Sequence, residues 1–152
     1  MAGSRHNIPA VTARLDDFLC FSIYAAGHAF SRAYKKPLAD IGLTYPQYLV
    51  MTVLWEEDDQ SVGQLGGKLS LESSTLTPLL KRLEAEGLLA RHRDKQDERV
   101  VRVKLTPPGD KLREVAAKIP ACILSASGMS LEDLGKLRDQ ITQLTKRLEK
   151  AA

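Results

Sequence analysis

The stretch from Leu88 to Thr106 leaves this chain little freedom in what it can become. Leu88–Arg93 and Arg99–Leu105 are two short runs of strand type around a polar tip, Asp94-Lys95-Gln96-Asp97-Glu98. The second run alternates cleanly, with Val101, Val103 and Leu105 set against Arg102 and Lys104. A pair of strands this short cannot bury a core alone and must lean on helices. Helices are signalled on both sides. Upstream, Ser73 or Ser74 is placed to cap a helix with Leu76, Leu79, Leu80 and Leu83 on one side, and Gly87 suits the left-handed position past its end. Downstream, Thr106-Pro107 supplies the cap residue and first-turn proline of another helix.

The rest of the chain is helical punctuation. Thr44-Tyr45-Pro46-Gln47 and Ser61-Val62-Gly63-Gln64 both read as capping boxes, a hydroxyl answered by Gln three residues on. The first opens a helix through Tyr48, Met51, Leu54 and Trp55, which Glu56–Asp59 closes as a solvated turn; the second opens a short helix to about Leu69. From Arg14 to Tyr34, apolar residues recur at helical spacing (Leu15, Phe18, Leu19, Ile23, Ala26, Phe30), and Pro37 is expected to help end that helix. Pro120 should break the helix that Thr106 begins. Ser130 starts the last one, whose apolar stripe is Leu131, Leu134, Leu137, Ile141, Leu144 and Leu148. The first ten residues read as a flexible arm. The expected fold is mainly α with a small β-hairpin wing, in winged helix-turn-helix order. It forms a single chain over 1–152, with a winged helix-turn-helix part at 44–105 and helical segments at 14–36 and 107–150.

A length of 152 residues suits one domain with a sizeable core. No apolar run approaches the roughly 20 residues that span a bilayer, and the N-terminus lacks the apolar stretch of a signal peptide, so the expected location is the cytoplasm, with no membrane partner. In that compartment Cys20 and Cys122 are not a structural disulfide by default. With those two 102 positions apart and His6, His28 and His92 scattered, no zinc-ligand spacing exists. No metal or other cofactor is expected. Charge is uneven: residues 1–60 carry more acids than bases, whereas residues 61–105 carry nine Lys and Arg against six Asp and Glu. That basic middle suits either a polyanion or a mixed solvated surface.

The helix at Ser73 has the features a major-groove reader needs. Ser73, Ser74, Thr75 and Thr77 are short hydrogen-bonding residues near its start, and Lys81 and Arg82 follow within reach of phosphate. An ordinary amphipathic surface helix would look similar. The hairpin shifts the balance, because Arg91, Arg93, Lys95, Arg99, Arg102 and Lys104 surround it and Asp97 stands two residues before Arg99, placed to orient its guanidinium for a narrow minor groove. The opposing reading is an edge hairpin protected by charge. Residues 61–112, and above all Asp97-Glu98-Arg99, the alternating strand and Leu105-Thr106-x-x-Gly109, resemble the MarR family of transcriptional regulators. The resemblance implies a homodimer held mainly by its first and last helices and bound to double-stranded operator DNA with an inverted repeat.

Cys20 lies on the apolar first helix with Tyr24 four residues on, along the same face. A tyrosine hydroxyl donating to a thiolate would favour ionisation, while Asp16 and Asp17 would oppose it if they faced the sulfur. An inert buried thiol is the other reading. Residues 19–56, together with Thr75–Glu84, resemble the organic hydroperoxide resistance regulators, a subgroup of the MarR family. That resemblance implies that Cys20 is the peroxide-sensing thiol, that Tyr24, Tyr34 and Tyr45 surround it, and that Cys122 is the resolving thiol of a two-cysteine member, forming a disulfide with Cys20 of the other subunit. Phe18, Phe21, Tyr48, Met51 and Trp55 are candidate apolar walls for an organic hydroperoxide, or plain core.

The expected function is therefore a redox-responsive repressor, not an enzyme, with an organic hydroperoxide as inducer. Three alternatives stay open: a MarR-type regulator answering a small phenolic or other ligand, a thiol peroxidase using the two cysteines, and a protein-interaction module. The peroxidase lacks a catalytic Arg or a βαβ pattern around either cysteine, and the interaction module leaves the basic middle unexplained.

Overall fold

The computed structural model describes residues 14–152, so the expected N-terminal arm lies outside the described residues. The chain divides into two compact units, Met1–Arg32 and Ala33–Ala152.

In the first unit, a single 3-10 turn at Leu15–Asp17 precedes α1, which runs Leu19–Ala39 and so continues into the second unit. The helical period expected here is present, but Leu15, Phe18, Leu19, Ile23, Tyr24 and Phe30 are exposed. Among the described residues this stripe is left exposed.

The second unit holds α2 (Tyr45–Glu56), β1 (Gln60–Ser61), α3 (Val62–Leu69), α4 (Ser73–Ala85), β2 (Leu89–Arg93), β3 (Val101–Leu105), α5 (Pro107–Ala116), α6 (Ile119–Ser127) and α7 (Leu131–Ala151). The wing is present as expected, with Leu89 opposite Leu105 and Arg93 opposite Val101. A third strand joins it: β1 pairs antiparallel with the other side of β3, Gln60 opposite Val103, giving the order β1-β3-β2. That strand clamps the wing to the front of α3.

Local capping chemistry explains most of the boundaries. The side chains of Thr44 and Ser61 accept from the amides of Gln47 and Gln64, and the two Gln side chains accept from the cap amides in return, both at 2.8 Å. Thr106 and Ser130 cap α5 and α7. Replacing Thr44 by Ala should lower unfolding stability by about 1 kcal/mol, read by chemical denaturation, because it leaves the Gln47 amide without its acceptor. At Gly87 (φ 75°) the expected left-handed end of α4 forms, with the Leu88 amide donating to the Leu83 carbonyl. After a break following Ala116, α6 begins at Ile119 with Pro120 in its first turn, so the helix is broken near Pro120 as expected.

Two boundaries differ. Pro37 does not end α1, which continues to Ala39 and stops at Gly42 (φ 74°), where the Leu43 amide donates to the Leu38 carbonyl at 3.0 Å. A proline this close to the end removes a single ladder bond, so the glycine, not the proline, decides the stop. Neither Ser73 nor Ser74 is the cap of α4. Glu72 holds that place, without a side-chain cap hydrogen bond, and both serines lie inside the first turn.

The core of the second unit gathers Leu54 and Met51 of α2, Leu65 of α3, Leu76, Leu80 and Leu83 of α4, Leu89 and Val103 of the wing, and Ala116 and Ile119 behind them. α5 is pressed against the wing at Gly109, where a Cβ would stand 1.8 Å from the Leu88 carbonyl oxygen. The Trp55 indole N–H donates to the Gly109 carbonyl at 2.9 Å, stitching α2 to the same spot.

Candidate nucleic-acid interface and sensor cysteines

α4 turns its leucines inward and leaves its first turn outward. Leu76, Leu80 and Leu83 are buried, while Ser73, Ser74 and Thr75 are exposed and Thr77 is half-buried. Because Glu72 takes the cap position, the serine hydroxyls are not consumed as caps. Lys81 and Arg82 follow on the same helix, Lys81 exposed. Pro78 sits within the helix without interrupting it.

The wing is built on nested carboxylates. Asp94 accepts from the Gln96 and Asp97 amides at 2.7 and 3.2 Å, which folds the tip back on itself. Those two amides, and then Arg102, hold the Asp94 carboxyl below the usual carboxylate range. Asp97 grips Arg99 through the Nε at 3.0 Å, the Nη2 at 3.2 Å and the Arg99 amide at 3.1 Å. Arg99 keeps Asp97 ionised to lower pH than usual and is itself 91% exposed. A guanidinium that is both oriented and exposed is a ready contact for a polyanion. A cavity of about 380 Å³ lies between the wing and the helices, lined by Ser73 and Thr77 of α4, Arg91, Arg99 and Val101 of the wing, and the start of α3.

Not every hairpin cation points outward. The Arg91 Nε and Nη2 both donate to Oε2 of Glu84 in α4, at 3.0 and 2.8 Å, and the Arg91 amide donates to Oε1 of the same carboxylate. Arg93 donates one bond to the Glu98 carbonyl but stays exposed. Arg102 turns back to Asp59 and Asp94. Lys95, at the tip, is exposed. The Arg91 bonds depress the Glu84 carboxyl below its ordinary 4.5. A depressed folded-state pKa adds stability that is present above the unfolded value and lost as pH falls through the folded one. Glu84→Gln should thus be less stable than wild type at pH 7, with the gap closing as denaturation curves are taken down below pH 4.5. Both partners are about a third exposed, so the effect is modest.

Cys20 and Cys122 are exposed thiols, on α1 and α6. Tyr24 stands one turn after Cys20 and packs edge-on against His28, with ring centroids 4.4 Å apart. In the second unit Tyr34 packs on Tyr45 at 4.9 Å and on Tyr48 at 5.9 Å. Burial, and then the neighbouring tyrosines, push the Tyr34 hydroxyl up from 10.0, so it is a donor at neutral pH. Two of the candidate pocket walls are core: Met51 and Tyr48 are buried in α2.

Residues 32–119 match the family described as Transcriptional regulator SarA/Rot. The chain is 42% identical over 135 residues to the organic hydroperoxide resistance transcriptional regulator of Bacillus subtilis (strain 168), covering 89% of this chain and 92% of that one. The chain is a transcriptional regulator of the MarR/SarA type. Another member, the HTH-type regulator TtmR of Methylorubrum extorquens (strain PA1), is 48% identical over 138 residues, or 91% of this chain and 71% of TtmR. Among solved structures, reduced AbfR bound to DNA superposes with a TM-score of 0.75 at 36% identity, over 89% of this chain and 94% of AbfR, a Staphylococcus epidermidis protein. AbfR has also been solved overoxidized on DNA and with a disulfide formed.

The winged-helix fold of this MarR/SarA-type regulator is the expected one, and its relatives are named as regulators and not as enzymes. Among the described residues no group of three or more His, Cys, Asp or Glu could hold a metal ion, and no helix is long and apolar enough to cross a membrane. Sequence reasoning missed Asp58 and Asp59, read as solvent-facing turn residues. Asp58 accepts from the Leu105 amide, and Asp59 receives Arg102, so this turn is a fastening point of the wing. The only local hint was a run of acids next to a strand pair rich in arginine.

Proposed function

We propose that this regulator is a homodimeric repressor that releases an inverted-repeat operator when an organic hydroperoxide oxidises Cys20. Residues 44–105 are its DNA-binding part, and segments 14–36 and 107–150 hold the dimer. The observation that carries the reading is an exposed Cys20 one helical turn from Tyr24, in a chain 42% identical to a hydroperoxide resistance regulator over nearly that protein's whole length. The exposed apolar residues of α1 and of α7, Leu131, Leu137, Ile141 and Leu148, support a dimer formed through those helices. Ser73, Ser74, Thr75 and Thr77 read the major groove, Lys81, Arg82, Arg93 and Lys95 meet phosphate, and Arg99, set by Asp97, enters the minor groove.

The chemistry is a two-electron oxidation. The Cys20 thiolate attacks the outer oxygen of ROOH, the O–O bond breaks, the alcohol ROH leaves after protonation, and Cys20 becomes a sulfenic acid. The thiol of Cys122 from the other subunit then attacks that sulfur, a disulfide forms and water leaves. Tyr24, Tyr34 and Tyr45, some of them supplied by the partner subunit, donate hydrogen bonds around the sulfur. The disulfide shifts the two winged units so that both α4 helices no longer fit successive major grooves.

The test runs a non-reducing gel and a DNA gel shift on the same samples of wild type, Cys20→Ser and Cys122→Ser, with cumene hydroperoxide and then dithiothreitol. Wild type should crosslink and release DNA reversibly. Cys20→Ser should stay bound and uncrosslinked, and Cys122→Ser should also form no crosslink and stay bound, because it stops at the sulfenic acid. Release of DNA from Cys20→Ser as readily as from wild type would refute the cysteine mechanism and favour a ligand-responsive regulator.

A further inference from the structure

Arg102 lies on β3 behind the wing tip and is the best-held cation of the hairpin. Its Nε donates to the Asp59 carboxylate at 2.9 Å and its Nη2 to the Asp59 backbone carbonyl, 43 residues away in sequence. Its Nη1 reaches the Asp94 carboxylate at 3.4 Å. Asp59 takes a left-handed backbone (φ 55°), which turns its carbonyl and its carboxylate toward the same guanidinium. His92 faces the same carboxylate at 3.7 Å. Asp94 in turn holds the Asp97 amide, and Asp97 holds Arg99. A continuous line of polar contacts thus joins the turn after α2 to the guanidinium at the wing tip.

We propose that Arg102 is a positioning residue for DNA recognition, fastening the wing through Asp59 and Asp94 so that Arg99 is presented already oriented. The inference rests on the DNA-binding reading above. Its physical basis is preorganisation. A polar hairpin tip that must be ordered at the moment of binding costs affinity, and one ordered beforehand does not. Arg102 is only 29% exposed, and its Nε, Nη1 and Nη2 are each engaged by Asp59 or Asp94, so it acts through Arg99 and not on phosphate.

Three variants separate that role from simple charge loss: Arg102→Gln, Asp94→Asn and Arg99→Ala, with the corresponding double variants, assayed for operator affinity by fluorescence anisotropy at fixed salt. Arg102→Gln and Asp94→Asn should each weaken binding on the order of 10-fold. Asp94→Asn is the sharper variant, because it removes a negative charge, a change that alone would strengthen binding to DNA. In the Arg99→Ala background, either change should cost less than about twofold, since its route to DNA is already gone. Amide hydrogen exchange at residues 94–100 should quicken in both single variants while α3 and α4 keep wild-type protection. Full additivity of the losses, or unchanged or tighter binding by Asp94→Asn, would overturn the inference. Operator binding unaffected by Arg99→Ala would overturn it too, and would place the failure in the wing–DNA reading itself.

Discussion

Gly109→Ala should destabilise the protein by about 3 kcal/mol, as overpacking against backbone does when neither side can yield. The new Cβ would sit 1.8 Å from the Leu88 carbonyl oxygen and 2.8 Å from its carbon, so α5 must lift off the wing. Lifting it strains the Thr106 amide bond to that carbonyl, at 3.1 Å, and the Trp55 indole bond to Gly109. For a chain of this length the loss corresponds to a fall in Tm of roughly 10 °C. Gly67 provides the contrast. It is an exposed helical glycine with open space where a Cβ would go, so Gly67→Ala should raise stability by about 1 kcal/mol. Thermal melts of the two variants beside wild type check the pair, and equal shifts of one sign would show that the Leu88 contact does not limit α5.

The second large effect concerns α7. Leu137 and Ile141 lie one turn apart and are about 40% exposed on the single chain. Glutamate at both should barely disturb an isolated helix. In the proposed dimer it would bury two charges in the interface, and the protein should sediment as a monomer. Operator affinity should then fall by roughly 10²–10⁴-fold, because two half-sites are no longer engaged by one linked pair of wings. A variant that remained dimeric with wild-type affinity would remove α7 from the interface.

What could be read directly from the sequence was chemistry closed within about four residues. The Thr44 and Ser61 boxes, the Gly87 stop, the Asp97–Arg99 pair and the Cys20–Tyr24 spacing all involve neighbours in sequence, and the structure has the boxes, the stop and the pair as expected. What escaped depends on distant partners. Arg102 and Arg91 were indistinguishable from the other hairpin cations until Asp59 and Glu84 were seen facing them. β1 is two residues long, too short to show alternation. Pro37 and the Ser73/Ser74 pair misled because several residues nearby were competent to mark the boundary, and only the backbone path selects Gly42 and Glu72. The Tyr34–Tyr45 contact is legible only through resemblance, since the two rings belong to different helices.

The single tryptophan gives the seam between α2 and α5 an optical handle. Trp55 has its indole N–H engaged and lies steeply inclined to the Tyr48 ring, at a centroid distance of 6.3 Å. Its emission therefore reports from a place far along the sequence from both thiols. Oxidation of Cys122→Ser, which stops at the Cys20 sulfenic acid, gives the signal of the altered sulfur alone, and any further change in wild type is the one propagated into the winged unit. Intrinsic fluorescence followed during oxidation thus clocks the mechanical half of signalling separately from the chemical half, without any label on the protein.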